Sequence, residues 1–194
     1  MSMAFDGLGE APDEALLVAY GNGDRAAARE LTLRLAPRIL AYANRMLGDV
    51  SEAEDVTQET MFRLWRIAPK WENGRAKVST WAFRVATNLC TDRLRARRNV
   101  GLDTVPDPVD PSPRADQTLQ DKARSAALEQ ALLSLPERQR TAIILRHLDG
   151  LQNTEIAEVM DTSVEAVESL TARGKKALAE ELGRQRRELG FCDG

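Results

Sequence analysis

The feature that most constrains the fold of this chain is a proline-rich stretch near its middle. Residues 99–118 hold four of the eight prolines, and the apolar periodicity that marks helices stops there. Proline lacks a backbone donor and biases the residue before it towards extended conformations. We therefore predict a semi-extended, solvated linker at 99–118 between two domains, which span residues 1–98 and 119–194.

Before the linker, apolar residues recur at helical spacing and no β-type alternation occurs, so the first domain is predicted to be a bundle of about four helices. The proposed boundaries are a helix over 13–20, a helix over 24–47 interrupted at Pro37, a helix opened by a capping box of Ser51 with Glu54 and stopped by Pro69, and a helix capped by Ser79 that runs to residue 98.

After the linker, helical periodicity returns over 119–135, and a second helix is predicted to open at Pro136 and to close at Gly150. A short helix over 154–160, a turn near Asp161 and a longer helix then follow, with Thr162 and Glu165 as a second capping box. This order is typical of a helix-turn-helix, whose second helix enters the DNA major groove. A plain helical hairpin is the alternative. The fold class is all-α, with two small helical domains.

Composition excludes most catalytic and metal sites. The chain has one histidine and two cysteines, and it lacks the glycine-rich loops that bind phosphate. We therefore expect no enzyme activity, no cofactor and no metal. The N-terminus is acidic, no apolar run approaches the roughly 18 residues of a membrane helix, and the net charge is only −3. A cytoplasmic protein without a signal peptide or membrane segment is expected.

Two surfaces stand out in the first domain. The helix after Ser51 places acidic and amide side chains beside Phe62 and Trp65, which suggests a protein-docking surface, although an ordinary core helix would look similar. The helix after Ser79 ends in the basic run RLRARR at 93–98, and a loop with Trp71 precedes it. Basic groups neutralise phosphates and aromatic rings stack on unpaired bases, but arginines also complement the C-terminal dipole of any helix.

Four blocks in this order carry a resemblance to a known family: AEDVTQETMFRLW, STWAFRVATNLCTDRLRARR, LLSLPERQRTAIILRHLDGL and TEIAEVMDTSVEAV. Over about residues 13–185 the chain resembles the extracytoplasmic-function (ECF) sigma factors of bacterial RNA polymerase, in the sigma-70 family. The resemblance implies sigma domains 2 and 4, binding to the β and β′ subunits of core polymerase and to promoter DNA, control by an anti-sigma factor, a role in a stress response, and a monomer when free.

The resemblance also implies residue roles. Core polymerase would bind Asp55, Gln58, Glu59, Phe62 and Trp65. The minus-ten promoter element would contact Lys70, Trp71, Arg75, Lys77, Trp81, Arg84, Asn88, Arg93, Arg95, Arg97 and Arg98. The minus-thirty-five element would contact Thr154, Ser163, Glu165, Ala166, Ser169, Arg173, Lys175 and Lys176.

One segment departs from the family pattern. Residues 151–170 hold five acidic residues and no basic residue, where the family often carries basic residues in its recognition helix. Glu165 or Glu168 could accept a hydrogen bond from a cytosine amino group, and the DNA affinity of this domain is expected to be low.

Two alternatives remain open at this point. One is a sigma-like decoy that captures an anti-sigma factor without supporting transcription. The other is a stand-alone helix-turn-helix repressor. We also expect that a partner protein inserts helices between the two domains.

Overall fold

The computed structural model of the chain describes residues 9–72, 74, 76–99 and 119–188, with the side chains of all of these except 119–123 and 186–188. The predicted linker lies outside the described residues apart from Asn99. Across the described ranges every regular element is helical, which confirms the all-α prediction. The helices are α1 (Asp13–Gly21), α2 (Arg25–Leu47), α3 (Val50–Ile67), α4 (Val78–Asn99), α5 (Leu119–Ser134), α6 (Glu137–Ile143), α7 (Asn153–Met160) and α8 (Val164–Glu188).

Helices α1 to α4 form an N-terminal bundle around α2. Its fully buried side chains fall every four residues, at Leu31, Leu35 and Ile39, so one stripe of α2 faces the core. Further along this stripe, the Tyr42 ring stands edge-on to Phe83 of α4, with 5.5 Å between ring centroids. A polar core residue is tolerated here because the Tyr42 hydroxyl lies 2.7 Å from that of Thr87.

The predicted interruption of the second helix at Pro37 is wrong, since α2 runs unbroken from Arg25 to Leu47. Proline removes one helical hydrogen bond, to the carbonyl of the residue four positions earlier. That residue is Leu33, which is 62% exposed, so water can reach the carbonyl. The buried residues on either side of Pro37 hold the helix in one piece.

The predicted helix caps at Ser51, Ser79 and Thr162 are each displaced by one or two residues. Helix α3 begins at Val50, and the Asp49 carboxylate accepts from the Glu52 amide at 2.9 Å. Helix α4 begins at Val78, before Ser79. Helix α8 begins at Val164, and the Ser163 hydroxyl accepts from the Ala166 amide at 3.2 Å. Neighbouring Asp, Ser and Thr residues compete for one cap, and helix packing decides which of them holds it.

Helices α5 to α8 form a C-terminal bundle. A short π-helical turn, Ile144–Leu148, continues α6, and Gly150 then takes a left-handed φ of 75°, close to the helix end that the sequence predicts. Asp161 turns the chain between α7 and α8 with a φ of 49°, a conformation that Asp adopts more readily than most residues. Buried Gly174 lets α8 approach α6, because an added Cβ would lie 2.7 Å from Ile143 Cγ1.

The two bundles pack against each other around one continuous core that includes Tyr42 and Met46 of the N-terminal bundle and Leu132 and Ile144 of the C-terminal bundle. Arg140 of α6 joins them. Its buried guanidinium donates to the Met46 carbonyl at 2.6 Å, across the interface. The two bundles are therefore in direct contact, and we call this arrangement the closed chain.

Candidate polymerase-binding and nucleic-acid surfaces

A groove on the N-terminal bundle brings together four of the five residues that the resemblance assigns to polymerase binding. Phe62 is 56% exposed, and the side chains that share the groove with it are Asp55, Gln58, Glu59, Leu89 and Arg93. A large exposed aromatic ring framed by charged and amide groups is the composition that protein interfaces favour at their centre. The groove therefore has the composition of a protein-docking surface.

Trp65 lies outside this groove. It is half-buried, and its indole ring stands edge-on to Tyr20 with 4.8 Å between ring centroids. The ring packs against the core formed by α1, α2 and α3. Its contacts in the closed chain are therefore structural.

Helix α4 divides the basic run at its end between two faces. Arg84, Asn88, Arg95 and Arg98 are exposed and line a cavity of about 440 Å³ between the two bundles. They lie at intervals of four, seven and three residues, which places them along one face of the helix. This row combines three guanidinium groups with one amide, the groups that bind phosphates and base edges.

Arg93 and Arg97 lie on another face of α4 and bond within the fold. Arg97 donates to the Leu47 carbonyl at 2.9 Å and pairs with the Glu52 carboxylate at 2.9 Å. Arg93 lies 3.9 Å from the same carboxylate. These two arginines therefore tie α4 to α2 and α3, and they are less free to reach DNA than the sequence suggests.

The two tryptophans assigned to the minus-ten element contact each other. The Trp71 and Trp81 rings are perpendicular, with 6.4 Å between centroids, and both are half-buried against the N-terminal core. Of the basic residues near them, Lys70 is exposed and Arg75 lies outside the described residues. Lys77 is exposed but forms an ion pair of 2.8 Å with Glu155 of α7, in the other bundle.

The helix-turn-helix of α7 and α8 presents most of its assigned residues to solvent. The half-buried exception is Ala166. Glu165 is ionised at the start of α8, because a backbone amide and the Ser163 hydroxyl hydrogen-bond to it and lower its pKa. The exposed residues of the set are Thr154, Ser163, Glu165, Ser169, Arg173, Lys175 and Lys176.

Sequence analysis did not identify the residues that hold the two bundles against each other. Arg140 is 8% exposed and donates to the carbonyls of Leu133 and Leu135 as well as to that of Met46. Burial lowers its pKa, against the opposing effect of the Glu137 charge. An arginine inside a helical block usually indicates a surface position, so no sequence signal marked this one.

Asp149 also lies at this interface, where its backbone carbonyl accepts from Arg38 of α2 at 3.2 Å. Its carboxylate keeps one buried oxygen without a partner. Burial raises its pKa from 3.8 to about 6, against the opposing effect of Arg38 and Arg45. The protonated Asp149 carboxyl therefore contributes its full stabilisation of the fold below pH 3.8. This contribution is lost as the pH rises through about 6.

Among the described residues, Cys90 and His147 are the groups that covalent catalysis most often uses, and neither stands in a catalytic arrangement. His147 is exposed at the helix end, and partial burial, Lys175 and Arg146 lower its pKa. Cys90 is buried in the core, which raises its thiol pKa to about 12. Among the described residues, no three His, Cys, Asp or Glu side chains cluster as metal ligands, and no helix there is long and apolar enough to cross a membrane.

Two regions of the sequence match known families. Residues 31–100 match sigma-70 region 2, and residues 125–178 match sigma-70 region 4. These ranges coincide largely with the N-terminal and C-terminal bundles.

Whole-chain relatives carry the same description. The ECF sigma factor SigW of Bacillus subtilis (strain 168) is 31% identical over 171 residues, which are 82% of this chain and 91% of SigW. The ECF sigma factor SigM of Mycobacterium tuberculosis (strain H37Rv) is 32% identical over 182 residues, which are 94% of this chain and 90% of SigM. The chain belongs to the ECF sigma factors of the sigma-70 family.

Solved structures share the fold. The sigma factor RpoE in complex with the anti-sigma factor NepR from Bartonella quintana superposes with a TM-score of 0.65 at 26% identity, over 80% of this chain and 96% of that one. CnrH in complex with the cytosolic domain of CnrY gives a TM-score of 0.68 at 24% identity, over 89% of this chain and 97% of that one.

Proposed function

We propose that this chain is an alternative sigma factor, which directs core RNA polymerase to a specific set of promoters and initiates transcription there. One observation carries the assignment: the Phe62 groove and the arginine row of α4 lie on the same bundle, in a chain that also holds a helix-turn-helix. A protein with this arrangement brings polymerase and DNA together. It acts in the cytoplasm as an initiation factor and performs no catalysis of its own.

The polymerase site is the Phe62 groove. We assign binding of the β′ clamp helices to Asp55, Gln58, Glu59 and Phe62. Trp65 then supports α3 from the core side, because its ring already packs against Tyr20.

The minus-ten site is the row of Arg84, Asn88, Arg95 and Arg98 on α4. Arginines in this row neutralise backbone phosphates, and Asn88 can read a base edge. Trp81 and Trp71 line the adjoining end of the helix. If one ring moves away from the other, it exposes an aromatic face on which an unpaired base can stack.

The minus-thirty-five site is the first part of α8. Ser163, Glu165 and Ser169 stand at exposed positions near the helix N-terminus, which is the part of a recognition helix that faces base edges. Arg173, Lys175 and Lys176 follow and supply phosphate contacts. Ionised Glu165 favours a cytosine amino group and disfavours phosphate, so specificity here comes with low affinity.

Regulation is assigned to an anti-sigma factor. The RpoE structure that this fold matches contains one. In the closed chain the two bundles are already in contact, so a partner that inserts helices between them must first separate Arg140 from Met46. A partner that covers the Phe62 groove alone would not need this step.

Polymerase binding can be tested with two adjacent acidic residues on α3. Both Glu54 and Asp55 are exposed, but only Asp55 lines the groove. Asp55→Arg should abolish co-purification with core polymerase, whereas Glu54→Arg, with the same charge change, should retain it. Circular dichroism checks that both variants fold. Equal binding by the two variants would remove the groove from the interface.

Run-off transcription with the purified holoenzyme tests the function itself. A sigma factor yields a promoter-specific transcript with core polymerase. A decoy binds its partner but yields none, and a stand-alone repressor binds duplex DNA without core polymerase. The three outcomes are distinct in one set of reactions.

A further inference from the structure

Part of the C-terminal bundle, including Glu137, Arg138 and Asp161, lines the same cavity as the basic surface proposed for the minus-ten element. Helix α7 packs against α4, and the cavity that holds the arginine row is also lined by Val159 and Met160 at the end of α7 and by Asp161 in the turn after it. Arg84, Asn88 and Arg95 therefore face the C-terminal bundle in the closed chain, whereas they would face DNA at a promoter.

Two ion pairs cross this contact. Lys77 bonds Glu155 at 2.8 Å, and Arg98 bonds Glu137 at 3.1 Å. In each pair the carboxylate is the more buried member, with 17% and 22% of the side chain exposed, against 67% for each cation. The two acids are thus held in the interface, and each captures a cation from the minus-ten set.

The charged form of the first pair is favoured on both sides. A hydrogen bond to Glu155 raises the pKa of Lys77. Partial burial opposes ionisation of Glu155, but hydrogen bonds from Lys77 and from the Gln152 amide outweigh it and lower the pKa of this carboxyl. The pair is therefore fully ionised at neutral pH.

One of the five acidic residues of 151–170, Glu155, gains a physical reason from this contact. A recognition domain without basic residues in its first helix binds DNA poorly, but it suits a surface that packs against arginines and lysines. Carboxylates placed where phosphates would lie compete with them for the same cations.

We propose that the C-terminal bundle autoinhibits the free chain by occupying the minus-ten surface of α4, with Glu137 and Glu155 standing in for promoter phosphates. This rests on the proposed function, in which the arginine row binds DNA. Core polymerase, by holding the two bundles apart, would release the row. Before it assembles with core polymerase, the free chain would therefore bind single-stranded DNA weakly.

The test removes the two carboxylate charges and keeps the side-chain shapes. In the full-length chain, Glu137→Gln with Glu155→Gln breaks both ion pairs, while glutamine at 155 can still accept from an amide and can still complete the capping box of α7. The matched control is Glu158→Gln with Glu180→Gln. It makes the same change in net charge at two exposed acids of the same bundle that lie outside the two ion pairs.

The readouts are the radius of gyration from small-angle scattering and fluorescence anisotropy of a labelled, mixed-sequence single-stranded DNA of about one dozen nucleotides. Because the apparent affinity scales with the open population, loss of two exposed ion pairs should tighten DNA binding about fivefold. It should also enlarge the chain. The control should match the wild-type chain in both measurements.

The proposal is overturned if the test variant binds and scatters like the wild-type chain, or if the control variant tightens binding equally. The second result would mean that general charge governs binding. Addition of Arg98→Ala to the test variant should reverse part of its gain, since the released arginine is the one that contacts DNA. Neither measurement involves polymerase, so failure of this proposal leaves the polymerase tests of the proposed function intact, and the reverse holds too.

Discussion

Replacement of Arg140 by methionine should lower the stability of the closed chain more than replacement of Arg138, the other arginine of α6. The guanidinium donates to three carbonyls at 2.6, 2.6 and 3.0 Å. One is on Met46, in the last turn of α2, and two are on Leu133 and Leu135, at the end of α5. A helix C-terminus carries free carbonyls and a partial negative charge, so the cation stabilises two such ends at once.

The magnitude follows from these bonds. A hydrogen bond from a charged donor contributes about 1.5–3 kcal/mol, and a buried acceptor left without a partner costs about 1–3 kcal/mol. Against this, methionine avoids the desolvation that lowers the pKa of Arg140. We expect a net loss of about 3 kcal/mol in the free energy of unfolding, which is a fall in Tm of roughly 9 °C for a chain of this size.

Urea denaturation followed by circular dichroism measures this loss. Arg138→Met is the matched control, because Arg138 is exposed two residues earlier on the same helix, and its replacement should change stability by no more than about 0.5 kcal/mol. Arg140→Lys should fall between the two, since an ammonium lacks the planar fork that reaches both helix ends. A value for Arg140→Met as small as that of the control would refute the view that the guanidinium caps two helices.

Three further predictions concern single substitutions. Gly174→Ala should destabilise the chain by about 1–3 kcal/mol in thermal unfolding, because its Cβ would lie 2.7 Å from a side-chain carbon of α6, whereas Gly183→Ala, with open space around it, should stabilise the chain by up to about 1 kcal/mol. Asp149→Asn should raise stability by about 1 kcal/mol at pH 8 and by nothing below about pH 4, because the pKa of the wild-type carboxyl is raised to about 6; a constant gain at all pH values would contradict this. Arg97→Ala should cost about 1–2 kcal/mol of stability in urea, while Arg95→Ala should leave stability unchanged and weaken promoter complexes in a filter-binding assay.

The helices themselves were predictable because their cores are local. In α2, side chains four residues apart make the buried stripe, and a sequence displays that spacing directly. Pro37 shows the limit of a local rule. A proline breaks a helix in isolation, but here its side of α2 faces solvent and the buried flanks keep the helix continuous through it.

The closed arrangement could not be predicted, because its contacts join residues far apart in sequence. The bond from Arg140 to Met46 spans 94 positions, and the pair of Lys77 with Glu155 crosses the linker. Each partner alone looks like an ordinary surface residue of a helix. Helical periodicity predicts which face of a helix a side chain lies on, but it does not predict which other element packs against that face.

The division of the arginines on α4 sets an upper limit on how strongly salt can affect promoter opening through this helix. The basic run at 93–98 contributes four positive charges in the sequence, yet Arg93 and Arg97 pair with Glu52. Arg84, Arg95 and Arg98 remain in the row. Single-stranded DNA releases counterions with a logarithmic salt slope of roughly 0.7 per phosphate neutralised, so three arginines give a slope of about −2. Five would give about −3.5. The measured slope therefore reports how many of these arginines remain available to DNA. That number depends on the Glu52 carboxylate of α3, which pairs with Arg93 and Arg97.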